Sequence, residues 1–365
     1  MDAHLAPLNF AELEGWASHD HEGAREAFRR SCREMLEPGS GFKRPVRFGG
    51  SPISWRSACL AAFEDGHPRD YFERAFLAFR VHDQERPEGL FTGYYEPEVD
   101  GSRRRSAAFQ VPIYRCPRDL VALRNGEASG SELAYGRLVN GVPAPYLTRR
   151  EIEAGALADQ GLEIVWLRDW ADAFFIQIQG SGRVRLAEGG TLRLSYAAKS
   201  GLPYTGIGGL LVQRGALRAD AVSMQAIRAW MVRNPKDARE LMWENQSFVF
   251  FRDVDLEDPE LGALGAQHIQ LTPRRSLAVD RSLWMFGTPV WLDTQVPAGE
   301  EIRMLPFRQL LIAQDTGSAI KGLARGDVYW GFGDVAAHIA GPMKSAGKMT
   351  VLLPVGVALE LDLPA

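Results

Sequence analysis

The chain of 365 residues has only three cysteines, Cys32, Cys59 and Cys116, and no C-x-x-C pair. A disulfide-rich scaffold is therefore excluded, a cysteine-based zinc site and a thioredoxin-like motif are disfavoured, and at most one disulfide could form, leaving one thiol over. No apolar run approaches the ~18 residues of a membrane helix. The start, Met-Asp-Ala-His-Leu, lacks the basic and apolar regions of a signal peptide. None of the seven histidines lies in an H-E-x-x-H arrangement, and no serine sits in a nucleophile elbow. The glycines at 206–209 are followed by Leu210 rather than Lys-Ser or Lys-Thr, so they form no phosphate loop and instead predict a tight turn before a short helix. A regular β-α-β alternation is missing too, which disfavours doubly wound, TIM-type and nicotinamide-binding folds. The net charge of −4 gives the whole surface no pull toward nucleic acid.

What is present is ordinary globular material. Apolar residues at 45% and charged residues at 24% argue against disorder. At ~150 residues per domain the length suggests two domains. The first ninety residues read as helical. Ala24, Phe28, Cys32 and Met35 form one apolar stripe over 21–36, and 55–64 and 68–80 show similar faces, the latter with Pro68 near its start. His19 and His21 flank Asp20 and read as a frayed, solvated segment. From residue 89 the chain turns aromatic and β-branched, with Gly and Pro breaks. Arg103, Arg104 and Arg105 read as a solvated loop. Thr148 to Glu151 is a capping box opening a short helix. Strands are expected over 162–167, 173–178, 182–186 and 191–196, and helices over 223–233 and 235–244. Mostly strand follows from 247 to the end, interrupted by one helix-like piece from Asp334 to Ile339, with Asp334 as its N-cap. The class expected is mainly β with peripheral helices.

The stretch with chemistry is 307–341. An apolar run, Leu310 to Ala313, leads into Gln314-Asp315-Thr316-Gly317, and a second acid, Asp327, sits in Gly326-Asp-Val-Tyr-Trp-Gly. A strand that ends on an acid and a glycine turn suits a barrel rim, where the side chain meets solvent or ligand. Tyr329 and Trp330 supply flat faces of the kind that suit sugar rings. An acid hemmed by aromatics loses hydration, which raises its pKa and keeps part of it protonated, as a general acid requires. On spacing alone, an Asp after Gly is more often a turn residue.

These motifs identify a resemblance to the MltA family of peptidoglycan-cleaving lytic transglycosylases. The last third is similar to that family's three-aspartate domain, with Asp280 in SLAVDRSL, Asp315 in AQDTGSAIKG and Asp327 in GDVYWG. Upstream, FTGYYEP at 91–97, FFIQIQGSGRVRL at 174–186, LSYAAKSGLPYTGIGGLLVQRG at 194–215, SMQAIRAW at 223–230 and ENQSFVFF at 244–251 follow in family order. The resemblance runs from about residue 90 to 353. It implies a double-psi β-barrel domain made of 1–97 plus 254–365, with the three-aspartate region at 270–353. It also implies a smaller β-rich domain inserted at 98–253, with a deep groove between the two for a glycan strand.

The reaction implied is cleavage of the β-1,4 bond between N-acetylmuramic acid and N-acetylglucosamine, without water, leaving a 1,6-anhydro end. One carboxylic acid serves as acid and then as base. The family's catalytic acid corresponds to Asp327, with Asp315 and Asp280 in support. The twelve-position spacing from Asp315 to Asp327 implies a small loop insertion around Leu323 to Arg325. Thr92, Gly93, Tyr94, Tyr95, Gln179, Gly180, Ser181, Lys321, Tyr329 and Trp330 are the expected substrate contacts. No cofactor or metal is implied. The partners implied are glycan strands, with cell-wall synthesis or division proteins beside them and neither nucleic acid nor nucleotide, and the chain is expected to be a monomer. Its expected place is the periplasm, in association with the outer membrane, although no acylated cysteine stands near the start. Competing readings are a hydrolase with a second carboxylate roughly 6.5–9.5 Å from Asp327, a non-catalytic glycan binder, and an aspartic protease. The last needs two facing acids, and Asp-Thr-Gly occurs once.

Overall fold

A computed structural model describes residues 3–37, 46–83, 88–123, 135–255, 258–299 and 303–364. The chain divides into two compact units, Met1–Tyr95 with Asp258–Ala365, and Glu96–Glu257.

The first unit is built on eight strands: β1 (Ala3–Leu8), β2 (Phe76–Asp83), β3 (Gly89–Glu96), β4 (Ser276–Val279), β5 (Pro289–Ala298), β6 (Arg303–Asp315), β7 (Arg325–Phe332) and β8 (Lys344–Pro354). They pair in the order β1-β2-β8-β5-β6-β4-β7-β3, and β3 returns to β8. Six of them, β8-β5-β6-β4-β7-β3, therefore close into a barrel, which removes its free edges. One long strand makes this closure possible. The first residues of β8, Lys344–Gly347, pair with Thr92–Gly89 of β3, and its last residues, Thr350–Pro354, pair with Arg80–Phe76 of β2.

Leu310, Leu311, Ile312 and Ala313 of β6 are all fully buried, which is why that strand reads as a continuous apolar run rather than an alternation. Its outer cover is the helix Glu22–Leu36, which packs on β6 and buries Ala24, Ala27, Phe28, Ser31 and Cys32. Gln314 ties the two together: its Nε2 donates to the Ala27 carbonyl at 2.8 Å and to Ser31 Oγ at 2.9 Å.

Three expectations for this unit are corrected. The helix expected over 68–80 spans only Pro68–Ala75, and Phe76 opens β2. The run Phe76-Leu77-Ala78-Phe79 is apolar at consecutive positions, which suits a buried strand better than a helix stripe. The helix near the end spans Gly333–Ala340 with Phe332 at its N-cap, so Asp334 is an exposed acid of the first turn. His19 and His21 are not a frayed segment: His21 is buried and His19 half-buried. Trp16 packs edge-on against His21 at 4.5 Å, and His19 meets Trp291 at 5.0 Å. Cys32, Cys59 and Cys116 are all free thiols.

The second unit holds a six-stranded sheet in the order Val249–Val254, Thr191–Lys199, Ser181–Leu186, Glu98–Ser102, Glu163–Leu167 and Val111–Tyr114. An isolated bridge, Arg115 to Phe251, links its two outermost strands. Its core includes Ile113, Val165, Leu167, Ile176, Val184 and Leu194. The strand expected at 173–178 is instead part of the helix Trp170–Gln179. Its caps carry the signal: Asp169 accepts from the Asp172 N–H at 2.8 Å, and Gly180 takes the left-handed φ of 77° that stops the helix. The capping box at Thr148–Glu151 and the helices Ile207–Gln213, Met224–Arg233 and Pro235–Trp243 form where the sequence places them.

Candidate active site

Strand register brings two of the three aspartates together. Ala278 on β4 is paired with Asp315 of β6 on one side and with Asp327 of β7 on the other. Residues directly opposite share a face, so the two acids and Ala278 stand in one row. The acids are two strand spacings apart, about 10 Å between backbones, and only a methyl group stands between them. The alternate residues Phe91, Leu277 and Val328 fill the opposite, fully buried face. β3 completes the row from the other flank, because Thr92 and Tyr94, two positions apart, also share a face.

Each acid has a different set of partners. Asp315 is held at both oxygens. Tyr94 donates its hydroxyl to Oδ2 at 2.8 Å, while the N–H groups of Ala266 and Thr316 donate to Oδ1 at 2.9 and 2.8 Å. Burial pushes the Asp315 pKa up, and these three hydrogen bonds oppose the rise. Asp327 is held at one oxygen, where Thr92 donates to Oδ1 at 2.6 Å. Its Oδ2 takes no hydrogen bond from the described residues, and the residue is half-buried. Loss of hydration drives the Asp327 pKa up to about 6, against the Thr92 hydrogen bond and the Arg325 charge, and Asp315 adds to the rise. Tyr94 stays a protonated donor, because burial and then the two carboxylates push its pKa far up.

The third aspartate lies apart from this row. Asp280 follows β4 and organises a turn, accepting the Ser282 hydroxyl at 2.7 Å, the Ser282 N–H at 3.0 Å and the Gly322 N–H at 3.1 Å. Burial by itself would raise its pKa, but these bonds and Lys321 outweigh it and hold the carboxyl below the usual range. Lys321 reaches Asp280 Oδ1 at 3.5 Å with a side chain that is 61% exposed.

The remaining expected contacts divide clearly. Gly93 is a packing glycine: a Cβ there would meet Trp330 Nε1 at 2.7 Å and the Ala340 Cα at 2.8 Å. Tyr95 is buried. Tyr329 and Trp330 are buried as well, at 1% and 7% exposure, in place of the open faces expected. The Tyr329 ring packs on Tyr94 at 5.3 Å, and Trp330 packs on Phe307 at 5.3 Å while donating its N–H to Met343 Sδ at 3.4 Å. Gln179 ends a helix, Gly180 caps it and Ser181 opens the next strand, all within the second unit.

Arg325 belongs to the site and was missed. Its Nη2 donates to Thr92 Oγ1 at 2.9 Å. The sequence held the signal: a cation two positions before an acid on a strand shares its face.

The first unit is thus a closed barrel that carries one half-free, raised-pKa aspartate beside a fully bonded one, and a second unit is inserted in the chain. Comparison with known proteins gives the family. The MltA specific insert domain matches residues 90–252 and the 3D domain matches residues 275–353. A membrane-bound lytic murein transglycosylase from Agrobacterium tumefaciens has a similar structure, with a TM-score of 0.86 and 31% identity over 98% of this chain and 99% of that one. MltA from Neisseria gonorrhoeae, in its monoclinic form, gives 0.78 and 31% over 96% and 93%. Membrane-bound lytic murein transglycosylase A of Escherichia coli (strain K12) is 35% identical over 268 residues, covering 72% of this chain and 65% of that protein. The chain thus spans 65% of that relative's length, and 64% of its Vibrio cholerae counterpart's. The chain belongs to the MltA family of lytic murein transglycosylases.

Proposed function

We propose that this chain cleaves the β-1,4 bond between N-acetylmuramic acid and N-acetylglucosamine in peptidoglycan, closing the muramoyl residue into a 1,6-anhydro ring, with Asp327 as the one catalytic acid and base. The observation that carries this reading is the asymmetry of Asp327. One oxygen is fixed by Thr92, and the other is free to hold a proton at a pKa of about 6. About a tenth of such a group is protonated at pH 7, enough to act as an acid. In the first step Oδ2–H gives its proton to the glycosidic oxygen as the bond from C1 breaks. In the second, the carboxylate takes the proton of the C6 hydroxyl as O6 bonds to C1. The proton borrowed is returned and no water enters. The attacking hydroxyl is already tethered to its target, so proximity replaces a protein nucleophile.

A hydrolase on the same barrel needs a second carboxylate to activate water. Asp315 is poorly suited, because both its oxygens already accept hydrogen bonds. Asp334 lies exposed on a helix. A structurally similar protein, E. coli MltA, has been solved with bound chitohexaose, with a TM-score of 0.66 and 28% identity over 97% of this chain and 92% of that one. That supports an oligosaccharide as the ligand here. The relatives' names point to the cell wall and a membrane-associated setting. Among the described residues no helix is long and apolar enough to cross a membrane. Mass spectrometry of a sacculus digest tests the reading. New ends one water lighter than reducing ends are expected, and reducing ends alone would overturn it.

A further inference from the structure

Three residues form a chain of donors and acceptors that ends on the catalytic carboxyl. Arg325 is 8% exposed. Its Nη1 donates to the Leu90 carbonyl at 3.4 Å and to the Gly326 carbonyl, which anchors the guanidinium to the backbones of β3 and β7 at once. From that position Nη2 donates to Thr92 Oγ1 at 2.9 Å. A threonine hydroxyl has a single proton to give, and a guanidinium can only donate. The Thr92 proton therefore points away from Arg325, and Asp327 Oδ1 is its one acceptor among the described residues.

We propose that Arg325 is a positioning residue. By donating to Thr92 it commits the Thr92 proton to Asp327 Oδ1, and so fixes Oδ2 as the oxygen that carries the catalytic proton. Without Arg325, Thr92 could turn to accept from Oδ1, and the proton would be shared between two oxygens of which one faces no substrate. The guanidinium also opposes protonation of the pair. Among the described residues the titratable and charged groups that face this row are Arg325 and Tyr329 on the Asp327 strand, Tyr94 on β3, Asp315 on β6 and the exposed Lys344 of β8, which pairs with Thr92, while β4 presents only Ala278. Among the described residues Arg325 is the one cation whose charge acts on Asp327, so its removal has one sign: the Asp327 pKa rises.

The inference rests on the catalytic reading of Asp327, and two readouts separate them. The first is the carboxyl titration of Asp327, followed by carbon NMR in selectively labelled protein with Asp327→Asn for assignment, and it needs no substrate. In Arg325→Gln and in Thr92→Val we expect the midpoint to move up by about one pH unit. The second is the release of anhydro ends from sacculi. In Arg325→Gln kcat should fall about tenfold to a hundredfold with KM little changed, and the alkaline limb should move upward with the midpoint. Arg325→Lys keeps the charge but loses the fork, so it should restore the midpoint more than the rate. Variants with the wild-type melting profile but an unmoved midpoint and unchanged kcat would overturn the inference and leave the catalytic reading intact. A wild type that releases no anhydro ends would overturn that reading instead. Should Arg325→Gln fail to fold, Thr92→Val cuts the same relay from its other side.

Discussion

The turn at Asp280 and the strand at Asp327 belong to one barrel and hold the same residue type, yet they drive it in opposite directions. Both bury a carboxyl, and burial alone disfavours the charged form in either place. At Asp280, two N–H groups, a hydroxyl and a lysine converge on the carboxylate and win. At Asp327 a single hydroxyl and one remote guanidinium oppose burial, and burial wins. At Asp315 both oxygens are bonded, and burial still raises the pKa. The direction in which a carboxyl is driven thus depends on whether its donors outweigh burial: those at Asp280 do, and those at Asp315 and Asp327 do not.

Exchanging the acids tests this ranking. Asp327→Asn should lower the release of anhydro ends by roughly a thousandfold while sacculus binding survives. A variant that keeps near-normal turnover removes the contrast altogether. Asp315→Asn should cost far less, about tenfold, because it loosens Tyr94 and the Ala266 and Thr316 backbone rather than removing a proton donor. Equal losses at both positions would make the two acids partners in hydrolysis. Asp280→Ala should leave turnover per folded molecule unchanged and lower stability by about 1–3 kcal/mol, read from urea unfolding, because three donors lose their acceptor. Since the folded Asp280 pKa lies below 3.8, its contribution is present above that pH and fades as the pH falls through the folded value.

The histidines near the start extend the comparison to bases, where burial acts with the opposite sign. His19 Nε2 faces Arg275 Nη1 at 3.0 Å, and His21 Nε2 is buried without a hydrogen-bond partner among the described residues. Burial first, and then cationic neighbours, lower both pKa values from 6.5 to about 4. Between those values the unfolded chain binds more protons than the folded one, so stability falls as the pH drops from 6.5 toward about 4. Melting temperatures recorded down that range should decline, and the His21→Phe variant should decline less steeply. A flat wild-type profile would contradict the burial argument.

Much of the site was legible because strands alternate and motifs fix spacing. Asp315 and Asp327 could be named from the strand-and-glycine pattern around them, and Thr92 and Tyr94 only from the resemblance to a known family. The roles of Tyr329 and Trp330 could not, because an aromatic beside an acid looks the same whether its ring faces solvent or Phe307. Arg325 was readable as a same-face neighbour of Asp327, but its partner Thr92 lies 233 positions away, and only barrel closure joins them. The helix Trp170–Gln179 was misread because Ala-Phe-Phe-Ile-Gln-Ile suits a buried strand as well as a buried helix. Its caps at Asp169 and Gly180 held the deciding information. His19 and His21 looked solvated because Trp291, which covers His19, comes from a strand hundreds of residues on.

The most direct test of Asp327 as sole acid and base is a sacculus digest in heavy-oxygen water, with each new glycan end weighed. Ends that carry no heavy oxygen are predicted, because the C6 hydroxyl attacks and water never bonds to C1. Heavy oxygen at the new ends would show that water is the nucleophile, and the single-acid account would fall.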